Sequence, residues 1–143
     1  MNTEAKQLGA TGTHFVNPHG LHDENHYTTT YDLYLMFNEA LKDQAFLDII
    51  SMNSYTAKVT SADGTSYTPT WQATNYYSAG EATPPDGIHV YGGKTGTTSI
   101  AGNCLALLCQ NSYGEPYVSI VMGASTKELL YQEMNSLLEN VNN

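Results

Sequence analysis

Lysine, threonine and glycine stand together at positions 94–96, behind Gly92 and Gly93 and ahead of Thr97 and Thr98. A lysine on a strand beside threonine and glycine puts an ammonium and a hydroxyl at the edge of a groove. The missing side chain at Gly96 lets a substrate backbone come close. The plainer reading is an edge strand kept in solution by a solvated lysine. A second group of reactive side chains is His19, His22 and His26, beside Asp23 and Glu24, a composition that suits zinc. Their loop is rich in Pro and Asn and lacks the helix or strand spacing that metal ligands use, so no metal is expected. Cys104 and Cys109 lie in one apolar run, AGNCLALLCQ. On a strand that spacing sends them to opposite faces, which favours two packed thiols over a disulfide.

The elements that must position these residues follow from pattern. Met1–Leu8 reads as the end of a helix stopped by Gly9. Residues 11–28 form an ordered loop, and Thr29 with Asp32 opens a helix running to Leu41. A short helix is expected over 44–51. SYTAKVT at 54–60 alternates like a strand before an Asp-Gly turn, and 72–88 reads as a long irregular connection. Three strands follow, at about 88–97, 101–111 and 116–123, linked as an antiparallel meander. Ser125 with Glu128 marks the start of a helix over about 126–141, whose Leu129, Leu130, Met134, Leu137, Leu138 and Val141 share one face. The class is α+β: a helical lobe with a connecting segment over about 1–87, then a sheet with a carboxy-terminal helix over about 88–143.

Composition narrows the partners. The chain has 143 residues, 14 acidic against 5 basic, for a net charge of −9. All the basic residues are lysines. With no arginine and no basic cluster, binding to nucleic acid or to an anionic membrane is disfavoured. No apolar run reaches the ~18–20 residues of a spanning helix, and MNTEAKQLGA is not a signal peptide. One domain's worth of chain with 41% hydrophobic residues can build a core.

The wider context of the K-T-G triplet is specific. M-N-x-x-A-x-x-L-G at 1–9, T-H-F-x-N-P-H-G-L at 13–21 and H-Y-T-T-x-Y-D at 26–32 are followed by T-N at 74–75. G-K-T-G-T-T comes at 93–98, A-G-x-C-L at 101–105 and V-x-x-V-M-G at 118–123. In this order the chain resembles the low-molecular-mass penicillin-binding proteins, the serine D-alanyl-D-alanine carboxypeptidases, over nearly its whole length. The resemblance implies an acyl-transfer fold with S-x-x-K, S-x-N and K-T-G motifs, of which this chain holds the third. No serine here has a lysine three positions on. Thr3–Lys6 spells T-x-x-K and Ser51–Asn53 spells S-x-N, both out of the family's order.

By the resemblance, Lys94 supplies charge near the substrate's terminal carboxylate and Thr95 gives that carboxylate a hydroxyl. Gly96 leaves room for the substrate, and the Thr97 N–H forms one arm of an oxyanion hole. The strand edge pairs with the peptide. Lys94, Thr95 and Thr97 are then expected to line one groove. The resemblance further implies a stem peptide ending in D-Ala-D-Ala as substrate, β-lactams as ligands of the full-length enzyme, an extracytoplasmic place in the cell envelope, and no cofactor. Two departures stand out: no arginine lies near Thr74-Asn75, and Tyr91-Gly92 replaces the usual acidic-glycine pair. The chain thus reads as residues 1–143 of a partial, incomplete peptidase domain without its nucleophile; the alternative is a non-catalytic module that binds peptide or partner. The resemblance also implies two further strands, from the missing amino-terminal part, beside the 116–123 strand, so its edge is expected to be covered or open to self-association here.

Overall fold

The computed structural model describes residues 1–142. Its centre is a three-stranded antiparallel sheet of β5 (His89–Thr98), β6 (Gly102–Gln110) and β7 (Pro116–Ala124), with β6 in the middle. Strict alternation in β6 explains its place: Asn103, Leu105, Leu107 and Cys109 are buried, while the intervening residues are half-buried on the other face. Only a strand covered on both sides supports that pattern.

Helix α5 (Lys127–Glu139) covers the first face. Leu130, Met134 and Leu138 pack there with Leu105, Leu107 and Cys109. Full burial of such side chains is worth about 1.5–3 kcal/mol each, which makes this layer the main source of stability. A 3₁₀ turn, Asn140–Asn142, follows the helix. The cap of α5 is Thr126, whose Oγ1 accepts from the Leu129 N–H at 3.1 Å, not Ser125 as the capping-box spacing suggested. The opposite face of the sheet receives α2 (Thr30–Ala40), with α3 (Gln44–Ile50) beside it. Thr29 caps α2 by accepting from the Asp32 N–H, as its sequence predicts. Phe37 meets Phe46 edge-on at 5.7 Å and ties the two helices together. The short α1 (Asn2–Gln7) precedes the histidine loop.

The middle of the chain differs from its expected form. The 54–60 segment breaks into β1 (Ser54–Thr56) and β2 (Val59–Thr60), which pair with β4 (Thr70–Gln72) and β3 (Ser66–Tyr67) in two separate ladders. The ladder residues are exposed apart from the half-buried Val59, so no buried apolar face holds one continuous register. The 72–88 connection is not wholly irregular. It contains a helical turn, α4 (Tyr76–Ala79), capped by Asn75, whose side chain accepts from the Tyr77 N–H. Cys104 and Cys109 are free thiols on opposite faces of β6, one half-buried and one buried.

Candidate active-site strand and its clefts

Strand β5 sits at an edge of the sheet, so one side of its backbone is unpaired by any strand. Its register places Lys94 opposite Ala106, Thr95 opposite Leu105, Gly96 opposite Cys104 and Thr97 opposite Asn103. Successive residues of a strand point to opposite faces. That alternation divides the candidate residues. Thr95 and Thr97 line a cleft of about 390 Å³ together with Thr74, Tyr76, Lys127 and Tyr131. Lys94 instead lines a cleft of about 260 Å³ facing Leu33, Phe37 and Phe46. Thr95 and Gly96 border both. The single groove expected for Lys94, Thr95 and Thr97 is therefore two clefts back to back, with the strand as their common wall.

The hydroxyls are held from behind. Thr95 Oγ1 lies 2.7 Å from Thr74 Oγ1, and Thr97 Oγ1 donates to Asn103 Oδ1 at 3.3 Å. Asn103 is itself fixed, since its Nδ2 donates to the Ala124 carbonyl at 3.1 Å. The Lys94 ammonium donates to the Thr95 carbonyl oxygen.

The facing wall is α4 and the first turns of α5. Asn75 is buried, and besides capping α4 it donates from Nδ2 to Ser78 Oγ at 3.2 Å. The Tyr76 N–H donates to the Tyr131 hydroxyl at 2.8 Å, and their rings stack at 4.8 Å with 5° between planes. Tyr77 donates its hydroxyl proton to Asn135 Oδ1 at 2.7 Å. Burial pushes the phenols of Tyr77 and Tyr131 above their ordinary value. Lys127 Nζ stands 5.1 Å from the centre of the Tyr76 ring, a cation–π contact at the mouth of the cleft. No acidic residue lines either cleft, although the chain carries −9 overall. Two ammonium groups and several hydroxyls around an open strand edge suit an extended ligand with an anionic end.

The glycines before and within the triplet are not equivalent. A Cβ at Gly92 would fall 2.0 Å from the Ile50 carbonyl oxygen, and one at Gly93 would fall 2.4 Å from that of Ala106. Close packing inside this chain accounts for both. A Cβ at Gly96 would meet nothing within 4 Å. Packing gives no reason for glycine at 96.

The other reactive side chains sit elsewhere. Ser51 ends α3 and donates its hydroxyl to the Leu47 carbonyl at 2.8 Å, away from the clefts. His19 Nδ1 accepts from the Leu21 N–H and His26 Nδ1 from the Val16 N–H, so both serve their loop. Among the described residues no group of three His, Cys, Asp or Glu is placed to hold a metal. Sequence reasoning missed Lys127, which it read only as part of a helix start. A first-turn position facing β5 shows itself only once α5 is docked.

The family model described as D-alanyl-D-alanine carboxypeptidase matches residues 1–126. The D-alanyl-D-alanine carboxypeptidase DacA of Haemophilus influenzae is 30% identical over 141 residues, 97% of this chain and 32% of its own. DacF of Bacillus subtilis, described in the same words, is 50% identical over 42 residues, 29% of this chain and 11% of its own. The crystal structure of the DD-transpeptidase of Streptomyces strain K15 superposes with a TM-score of 0.81 at 28% identity, covering 97% of this chain and 50% of that one. The chain thus spans about half the length of that solved relative and a third or less of these two curated ones.

Proposed function

The chain belongs to the D-alanyl-D-alanine carboxypeptidase family, and from that premise we propose that it is the substrate-clamping, carboxy-terminal part of a serine enzyme that trims peptidoglycan stem peptides. The observation that carries this reading is Gly96, a glycine on an open strand edge that no packing in the chain requires. A peptide laid along β5 as an added strand uses that space. Thr95 then donates its hydroxyl proton to the terminal carboxylate and accepts one from the Thr74 hydroxyl behind it. Lys94 and Lys127 supply charge from the two sides of the strand, and Lys127 makes up for the missing arginine. The Thr97 N–H is one of two oxyanion donors. The acyl-enzyme step needs a serine activated by a neighbouring base, and no serine of this chain has a lysine three residues on. We therefore place nucleophile, β-lactam acylation and turnover in a longer chain working in the cell envelope. No helix among the described residues is long and apolar enough to cross a membrane.

Two experiments test the reading. An N-acetylated D-Ala-D-Ala peptide should shift the NMR resonances of Thr95 and Thr97, and its carboxamide analogue should bind at least tenfold more weakly. Equal binding of the two would remove the carboxylate clamp. Labelled penicillin should give no covalent adduct on this chain by intact mass, and an adduct once the S-x-x-K segment is fused ahead of it. In the fused protein Lys94→Ala should slow acylation strongly. Stoichiometric acylation of the 143 residues alone would mean that the nucleophile lies among them.

A non-catalytic peptide-binding module is the second reading, favoured by an assembled clamp in a chain with no S-x-x-K. Catalytic motifs encoded ahead of Met1 would exclude it. Strand β7 forms the other edge of the sheet, and we propose that it pairs with a further strand, from a second copy when the chain is alone. Light scattering should then show self-association, and a strictly monomeric chain with a bare β7 edge would count against it.

A further inference from the structure

A groove of about 550 Å³ lies on the uncovered part of the molecule, outside the clamp. Ile49 and Met52 wall it on one side, and Ser54, Tyr55, Trp71 and Gln72 of the β1–β4 ladder on the other. Tyr55 and Trp71 are cross-strand partners whose rings lie within 9° of parallel, with centroids 6.4 Å apart. Each ring residue is 54% exposed. Two large rings held side by side in water, on a ladder of three residue pairs, form the kind of apolar surface that marks recognition.

The chemistry of the walls selects the ligand. No charged residue lines the groove. The Ser54 and Tyr55 hydroxyls, the Trp71 indole N–H and the Gln72 amide have no hydrogen-bond partner among the described residues. An aromatic shelf edged by uncharged donors and acceptors fits a neutral, amphipathic molecule with one apolar face and a polar rim. A pyranose ring has that form. Phosphate headgroups find no cation there, and a chain of charge −9 repels anionic surfaces. The groove is also tied to the clamp: Gln72 and Ala73 lead directly to Thr74, whose hydroxyl meets that of Thr95.

We propose that this groove seats the N-acetylhexosamine strand from which the clamped stem peptide hangs. The identity of the sugar polymer rests on the function proposed above; the uncharged aromatic groove does not.

Trp71 is the only tryptophan of the chain, so its intrinsic fluorescence reports on this groove alone. Titration with tri-N-acetylchitotriose should give a saturable change in emission. Tyr55→Ala should weaken that binding at least fivefold, and so should Gln72→Ala, which removes an exposed amide with little risk to folding. The sugar-free D-Ala-D-Ala peptide should shift Thr95 and leave Trp71 unmoved. If the peptide binds and the sugar does not, this inference falls and the proposed function stands. If the sugar binds and the peptide does not, the saccharide groove stands and the clamp falls. Emission that responds only to protein concentration, or only to phosphatidylcholine vesicles, would make the occupant a second copy or a lipid surface and overturn the assignment.

Discussion

Strands β5–β7 and the ladders of residues 54–72 are built from similarly β-prone sequence, yet they differ in nearly every physical respect. Strands β5–β7 are nine or ten residues long and share one sheet whose central strand, β6, is covered on both faces. The ladder strands are two or three residues long, and residues 51–56 and 60–68 are all exposed. Their cross-strand ties are hydroxyl pairs, Thr56 with Thr70 at 2.7 Å and Thr60 with Ser66 at 2.9 Å. Such bonds are worth about 0.5–1.5 kcal/mol each against the competition of water. Covered strands hold the fold together. Uncovered ones present side chains, and a chain that spends aromatic residues there is displaying them.

The largest effect that sharpens this contrast is expected at Met134, which is completely buried between α5 and the sheet. Met134→Ala should cost about 2–5 kcal/mol in urea denaturation. Tyr67→Ala, on an uncovered ladder, should stay within about 0.5 kcal/mol. Similar losses at the two sites would break the comparison. Next come the glycines of β5. Gly92→Ala drives a methyl into the Ile50 carbonyl and should cost about 1–3 kcal/mol, whereas Gly96→Ala should leave the melting temperature unchanged and weaken peptide binding.

A smaller effect is expected in alkali. Burial raises the Cys109 thiol and the Tyr77 and Tyr131 phenols, all on the α5 side of the sheet. The folded form holds these protons more tightly than the unfolded one. The associated stability is complete below the unfolded values, about 8.5 for the thiol and about 10 for the phenols, and is lost as pH rises through the folded ones. The melting temperature should therefore begin to fall above about pH 8.5 and fall further above about pH 10, less so in Tyr77→Phe. The smallest effect belongs to the ladders: Thr56→Ala should lower global stability by about 0.5 kcal/mol or less while speeding proteolytic nicking near Asp63-Gly64, the turn at their tip.

The same contrast explains what could be read from the sequence. The three long strands and α5 announce themselves because burial imposes periods of two and 3.6 on Leu105, Leu107, Cys109, Leu130, Met134 and Leu138. The ladders bury nothing, so their breaks left no periodic trace. The turn of α4 did leave signals, Asn75 as its cap and Gly80 in the left-handed conformation after it, but four residues are too few for a pattern to stand out. Of the site, the strand that carries K-T-G was legible from its pattern, whereas reading a site on it rested on the family resemblance and not on the triplet alone. The placing of Lys94 and Thr97 on opposite faces followed from strand alternation, and the single-groove expectation overlooked it. The arrival of Lys127 at the cleft that Thr95 lines depends on how α5 docks, which no local spacing encodes.

The hydrogen bond from the Tyr76 amide to the Tyr131 hydroxyl joins a four-residue turn on the cleft wall to the helix that seals the core. An amide bonded only within so short a turn would trade its proton for solvent deuterium through local fraying. This one is released only when Tyr131 withdraws, and Tyr131 is buried in the same layer as Met134 and Leu138. Its exchange should therefore run at the pace of global opening, orders of magnitude slower than the amides of the exposed ladders. The wall of the cleft keeps its shape for as long as the core does.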